Sequence, residues 1–237
     1  MGMFSRMADG LYYTLVFENR WRFYVTGIRN TLLMAAMACV LGIALGLVVA
    51  LVKITYAGDD NPGFLKKFAN WLANLYTTVV RGTPATVQLL IIYYVVFETA
   101  PLTMGLPIAA LAFGINSGAY VSEIIRAGIQ SIDRGQTEAG RSLGLDQKQT
   151  MRLIVLPQAV KNILPALFNE FITLLKETSI AGWISVVDVT FAGDLIRTRT
   201  WGKTPLLVSA AIYLVMVIGL TRLQERIERR LGASDHR

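Results

Sequence analysis

Charge is scarce in this chain. Only 16% of its 237 residues are Asp, Glu, Lys or Arg, against about 25% in a typical soluble domain. With 54% hydrophobic residues and a mean hydropathy of +0.48, that deficit excludes an ordinary soluble enzyme and points to a membrane protein. Cysteine is scarcer still. The single Cys39 excludes an internal disulfide and any cysteine-cluster metal site; in its apolar run it reads as a small buried hydrophobe. Histidine also occurs once, as His236 in the C-terminal tail, which excludes the usual histidine-rich metal chemistry. Acidic residues number 16 against 23 basic ones, a net charge of +7. On so apolar a chain this excess belongs beside anionic lipid and in cytoplasmic loops, not on nucleic acid.

The first residues do not resemble a cleavable signal, because the apolar stretch Leu11–Phe17 is short and ends at Glu18-Asn19-Arg20. Tyr12, Tyr13, Phe17, Trp21, Phe23 and Tyr24 suggest an aromatic segment over residues 1–26 resting at the bilayer interface; the alternative is a partly ordered tail.

About 20 apolar residues cross the hydrocarbon as a helix. Asn30–Val52 is charge-free and is the clearest span, with Gly42 and Gly46 spaced to let a neighbouring helix approach. A softer stretch, Phe64–Val80, leads into the uncharged Gly82–Phe97. Together they read as one segment broken near Arg81-Gly82-Thr83-Pro84, where proline removes a donor and disfavours helix before it. Further spans are Leu106–Ile125, Arg152–Lys176 and Pro205–Leu220, five in all. The fourth is unusual in holding Lys161, Glu170, Pro157 and Pro165, so it should face protein or a wet cavity. With the N-terminus outside, 14 Lys and Arg, from Lys53 to Arg237, fall on the inner side. Eight, including Arg6, Arg20, Arg197 and Arg199, fall outside, and Lys161 lies within a span. The excess of inner basic residues puts the C-terminus in the cytoplasm.

Between the third and fourth spans, Ala127–Thr150 is too polar for lipid and reads as two short helices around a turn. Gly144 is placed to end the first and Asp146 to cap the second. Within it stands Glu138-Ala139-Gly140, three residues, Gly144, nine residues, then Ile154-Val155-Leu156-Pro157. This resembles the EAA loop (about residues 127–157 here) of ABC importer permeases, departing only at Gly140, where the family has a second Ala. The departure should loosen the helix by up to about 1 kcal/mol. Arg81-Gly82-Thr83-Pro84 with Gln88-Leu89, Ala119–Ile124 with Arg126-Ala127-Gly128, and Asn169-Glu170-Phe171 with Lys176 resemble the polar amino acid branch (His/Glu/Gln/Arg/opine) of that family. The resemblance runs from about Gly27 to Arg230.

The resemblance implies an all-α membrane protein of the MetI-like ABC permease fold, with about five transmembrane helices and a cytoplasmic coupling helix in a permease domain spanning 27–231. It implies residence in the bacterial inner membrane. Its implied partners are a second permease subunit (the same chain or a paralogue), two ABC ATPase subunits and an extracytoplasmic solute-binding protein. Glu138, Ala139, Gly140, Leu143, Gly144 and Leu145 would meet the ATPase, Glu138 facing basic groups and the two leucines filling an apolar pocket. No G-x-x-x-x-G-K-[ST] phosphate loop occurs, so ATP would be bound and hydrolysed on the partner, and no cofactor or metal is expected in this chain.

At about 100° per residue, Gln158, Asn162, Asn169, Thr173 and Lys176 share an arc of about 60° on the fourth span, with Pro165 at its border and Glu170 flanking it. The stripe could line a translocation path or form a packing seam. A zwitterionic amino acid needs donors for its carboxylate and acceptors for its ammonium. Asn169 supplies either and Glu170 accepts from a cation, so Asn162, Asn169, Glu170 and Thr173, with Arg81, Thr83 and Gln88 of the broken segment, are the candidate substrate residues. An ion pair within the membrane domain is the alternative for Glu170. Trp183–Val189 reads either as a re-entrant gate or as an outer loop, and Arg222–Leu231 as a basic helix end at the headgroups. A secondary carrier working without an ATPase is the alternative function, disfavoured by the lack of a visible inverted repeat. An intramembrane enzyme is a third, for which no nucleophile–base or metal set is found.

Overall fold

The computed structural model describes residues 8–59 and 61–232. The readings of Arg6, His236 and Arg237, and nearly all of the 232–237 tail, lie outside them. Every regular element among the described residues is helical. A turn over 8–11 leads into a π-turn, Tyr12–Val16, and a 3-10 turn, Phe17–Asn19. The main helices follow as α1 (Trp21–Ala57), α2 (Phe64–Arg81), α3 (Ala85–Ile91), α4 (Gly105–Gln130), α5 (Arg134–Ser142), α6 (Gln147–Thr150), α7 (Leu156–Glu177), α8 (Val189–Thr200) and α9 (Thr204–Gly232). Four helical stretches are long and apolar enough to cross a membrane, and the broken pair α2–α3 makes a fifth candidate. The break falls where Thr83 and Pro84 interrupt the helix, as the proline requires.

Two sequence expectations are corrected at the ends of α1 and α8. The first helix begins at Trp21, so the boundary at residue 26 falls inside it, and Tyr24 is not interfacial but 3% exposed, its hydroxyl donating to Pro205 O at 2.7 Å. Tyr12, Tyr13, Phe17 and Trp21 are exposed. The segment after α7 is not an open loop. It is a 3-10 stretch, Thr178–Ile184, followed by the 12-residue α8, so Arg197 and Arg199 sit on a helix.

The chain divides into two compact units: Met1–Cys39, Pro84–Gly114 and Ile172–Leu220; and Val40–Thr83, Ile115–Phe171 and Thr221–Arg237. In the first, Met34, Ala38, Leu89, Tyr93, Ala109, Phe113 and Leu174 pack with Ala181, Ile184 and Val186, and Cys39 lies partly buried against them. Fully buried Asp188 caps α8, accepting from Thr190 N (2.8 Å), Phe191 N (3.0 Å) and the Tyr213 hydroxyl (2.9 Å). Asn30 donates to Val187 O at 2.9 Å, fastening this cap to α1.

In the second unit Ala50, Val121, Ile125, Ala159 and Ile163 form the core. Here α1 crosses α4 through small residues. A Cβ on Gly42 would stand 2.9 Å from Ser117 Oγ, and one on Gly46 would stand 2.5 Å from Val121 Cγ1 and 2.9 Å from Gly118 O. Backbones this close leave no room for a side chain. Gly46→Leu is therefore expected to cost about 1–3 kcal/mol or more by overpacking, seen as a lowered melting temperature in detergent. The exposed Val40→Leu on the same helix should leave it unchanged.

Candidate functional site

Two places in the second unit carry chemistry. The first is the α5–α6 arm. Asp133 caps α5, its carboxylate accepting from Gly135 N at 2.7 Å. The helix ends in a Schellman motif: Leu145 N donates to Gly140 O (3.1 Å) and Gly144 N to Arg141 O (3.0 Å), with Gly144 at φ +85°. Asp146 then closes a capping box on α6. Gln149 N donates to Asp146 Oδ1 at 2.8 Å, and Asp146 N donates to Gln149 Oε1 at 2.9 Å. Both caps stand where the sequence places them. The arm is joined to the long helices by Asn162 Nδ2 donating to Ser131 Oγ (2.9 Å) and by Gln158 Nε2 donating to Gln136 Oε1 (3.3 Å) and Ile154 O (2.9 Å). These two stripe residues are thus also seam residues.

The arm sorts its own side chains. Glu138, Ala139 and Leu143 are exposed, Leu143 by 81%. Leu145 is half-buried, and Gly140 is buried: a Cβ there would lie 2.8 Å from Ile154 Cδ1 and 2.9 Å from Thr150 Cγ2. Thr150 and Ile154 occupy the space of the methyl that an alanine would bring, which accounts for the departure from the EAA pattern. Gly140 consequently faces its own chain, and of the six expected contact residues Glu138, Ala139, Leu143 and Gly144 are outward.

The second place lies on α4 and α7. The fourth span opens with a π-turn, Met151–Val155, ahead of the regular helix α7. All five stripe residues fall within α7. Asn162, Asn169 and Lys176 are exposed, Gln158 and Thr173 half-buried. Glu170 is half-buried and accepts from the Ser117 hydroxyl at 2.8 Å. The Arg81 guanidinium lies 5.4 Å from the centroid of the Tyr120 ring. Ser117 and Tyr120 are three residues apart on α4, hence neighbours on one face. One helix therefore holds both the candidate carboxylate and the candidate guanidinium. Gln88 and Thr173 belong to the first unit, Arg81, Asn162, Asn169 and Glu170 to the second.

The sequence reading missed a charge cluster beside this face. Lys53, counted there as an inner loop charge, is on α1 with a side chain only 9% exposed, and its ammonium donates to Thr77 Oγ1 (2.8 Å) and Glu123 Oε1 (2.9 Å). Glu123 Oε2 also accepts from Arg126 Nε (3.0 Å) and Nη2 (2.6 Å). The i,i+3 spacing of Glu123 and Arg126 was a visible signal; the 70-residue separation of Lys53 from Glu123 left none. Outside the membrane segments, Asp59 pairs with Lys66, whose ammonium holds that carboxyl below its usual range.

The geometry defines a multi-pass helical membrane protein with a rigid, capped polar arm. Residues 42–233 match the model of the "Binding-protein-dependent transport system inner membrane component" family. The chain is 39% identical to the arginine transport system permease protein ArtQ of Bacillus subtilis (strain 168), over 90% of this chain and 94% of that protein. A crystal structure of an amino acid ABC transporter with histidines superposes with a TM-score of 0.80 at 40% identity, covering 88% of this chain and 94% of the other. The inward-facing methionine ABC transporter MetNI shares the fold, with a TM-score of 0.73 at 20% identity over 89% of this chain and 97% of that one. This chain belongs to the family of inner-membrane components of binding-protein-dependent transport systems, as the permease subunit of an amino acid ABC transporter.

Proposed function

We propose that this permease carries polar amino acids, cationic or amide-bearing ones in particular, working in a pair with itself or a paralogue. Two ATPase subunits bind its α5–α6 arm in the cytoplasm, where the C-terminus also lies. A solute-binding protein delivers substrate from the other side, and ATP is bound and hydrolysed on the partner while this chain contributes no cofactor. The observation that carries the substrate class is Glu170: a half-buried carboxylate held, among the described residues, by the Ser117 hydroxyl at 2.8 Å. It keeps acceptor lone pairs for an ammonium or guanidinium. The exposed amide of Asn169 beside it can serve either end of a zwitterion. The name of the Bacillus arginine permease supports the same class.

The test is uptake into proteoliposomes holding the assembled transporter. Glu170→Gln should lower arginine uptake about tenfold or more, the worth of one charged hydrogen bond, and glutamine uptake less. Equal uptake of both by the variant and the parent would remove Glu170 from the path. Loss of uptake when the ATPase is omitted separates this reading from a self-sufficient carrier.

A further inference from the structure

We propose that an N-terminal arm, residues 8–20, closes a binding site for the phosphate of a membrane phospholipid. A cavity of about 360 Å³ opens between the arm and the start of α9, lined by Tyr13, Thr14, Arg20, Arg199, Thr200 and Thr204 among others. It has room for more than ten waters at about 30 Å³ each. Arg20 is only 6% exposed. Its Nη1 donates to Tyr13 O and its Nη2 to Glu18 Oε2, both at 3.0 Å, while its buried Nε has no partner among the described residues. The side chain of Glu18 is 61% exposed, so water screens its charge and Arg20 is incompletely compensated. A buried cation in that condition is costly unless an anion joins it.

Two further features give the missing anion its chemistry. Arg199 lies on the cavity wall, and Thr204 and Pro205 bring the N-terminus of the long helix α9 to it. Guanidinium pairs and a helix N-terminus together suit a phosphate oxyanion. Tyr13 of the wall is exposed, and exposed Tyr12, Trp21 and Trp201, the last 92% exposed, directly adjoin wall residues along the chain. Such rings settle at headgroup depth, which places the cavity level with lipid phosphates and favours a lipid over a dissolved ion. Gly10 packs against the Thr204 side chain and pins the arm across the site. The proposal does not depend on which amino acid is carried.

Native mass spectrometry of the purified permease–ATPase complex, titrated with dioleoylphosphatidylglycerol, tests it. Arg199→Gln, an exposed position that should not disturb folding, is expected to weaken the tightest lipid adduct per permease about tenfold, and Arg20→Lys to weaken it also. Arg22→Gln, a basic residue of the same segment that is absent from the cavity wall, should leave it unchanged. Equal losses in Arg22→Gln and Arg199→Gln would mean diffuse attraction to anionic lipid and overturn the site. A melting temperature raised by inorganic phosphate, with no lipid adduct retained by the parent complex, would overturn the lipid assignment.

Discussion

Replacing Gly144 by valine is expected to lower ATP-driven uptake about tenfold and to weaken co-purification with the ATPase, whereas Gly144→Asn should retain most of both. Gly144 sits at φ +85°, a left-handed conformation costing an ordinary side chain about 1–2 kcal/mol and a β-branched one more, while asparagine tolerates it. Among the described residues, a Cβ at Gly144 meets nothing within 4 Å beyond its chain neighbours, so the penalty is conformational: it loosens the Schellman turn and tilts Leu143 and Glu138 out of the positions in which we propose they meet the ATPase. Glu138→Lys leaves the turn intact and reverses the exposed charge. Like-charge contact across an interface costs several kcal/mol, so a loss of about 100-fold in coupled transport is expected. Proteoliposome uptake and ATPase pull-down with the assembled transporter measure both effects. Full coupling in Gly144→Val and Glu138→Lys would take the arm out of the mechanism.

The charge cluster should respond asymmetrically. Glu123→Gln strands the Lys53 ammonium, 9% exposed, beside the Thr77 hydroxyl. An uncompensated buried charge costs about 3–5 kcal/mol, which for a chain of this size lowers the melting temperature by about 6–20 °C. Lys53→Met leaves Glu123 with both of its bonds from Arg126 and removes one charged hydrogen bond, about 1.5–3 kcal/mol. The double change Lys53→Met with Glu123→Leu should recover most of the loss, because an apolar pair of similar volume serves a buried site as well as an ion pair does. Equal drops in the two single variants, or no recovery in the double one, would show that the pair carries no such strain. Thermal unfolding followed by intrinsic fluorescence in detergent decides it.

Local features were legible from the residues alone. The apolar runs announce their own spans because each must fill the hydrocarbon by itself. Gly144 and Asp146 mark the end of one helix and the start of the next, since a left-handed turn and an N-cap depend on neighbours within a few positions. The helix after the 3-10 stretch was missed. α8 is short and mixed in polarity, and its place is decided by burial of Ala192 and Ile196 with Tyr24. The break at Pro84 was readable, and the π-turns at Ile92–Val96 and Met151–Val155 left no sequence mark.

Sequence alone determined the membrane class, the number of apolar runs, the capped arm and its family pattern, all of which rest on composition or on contacts a few residues apart. Tertiary structure alone decided that Gly140 faces inward onto Thr150 and Ile154, that Ser117 holds Glu170, and that Lys53 meets Glu123 across 70 residues. Pairings of that kind depend on which faces of distant helices come together, and helical periodicity names a face without naming the helix it will touch.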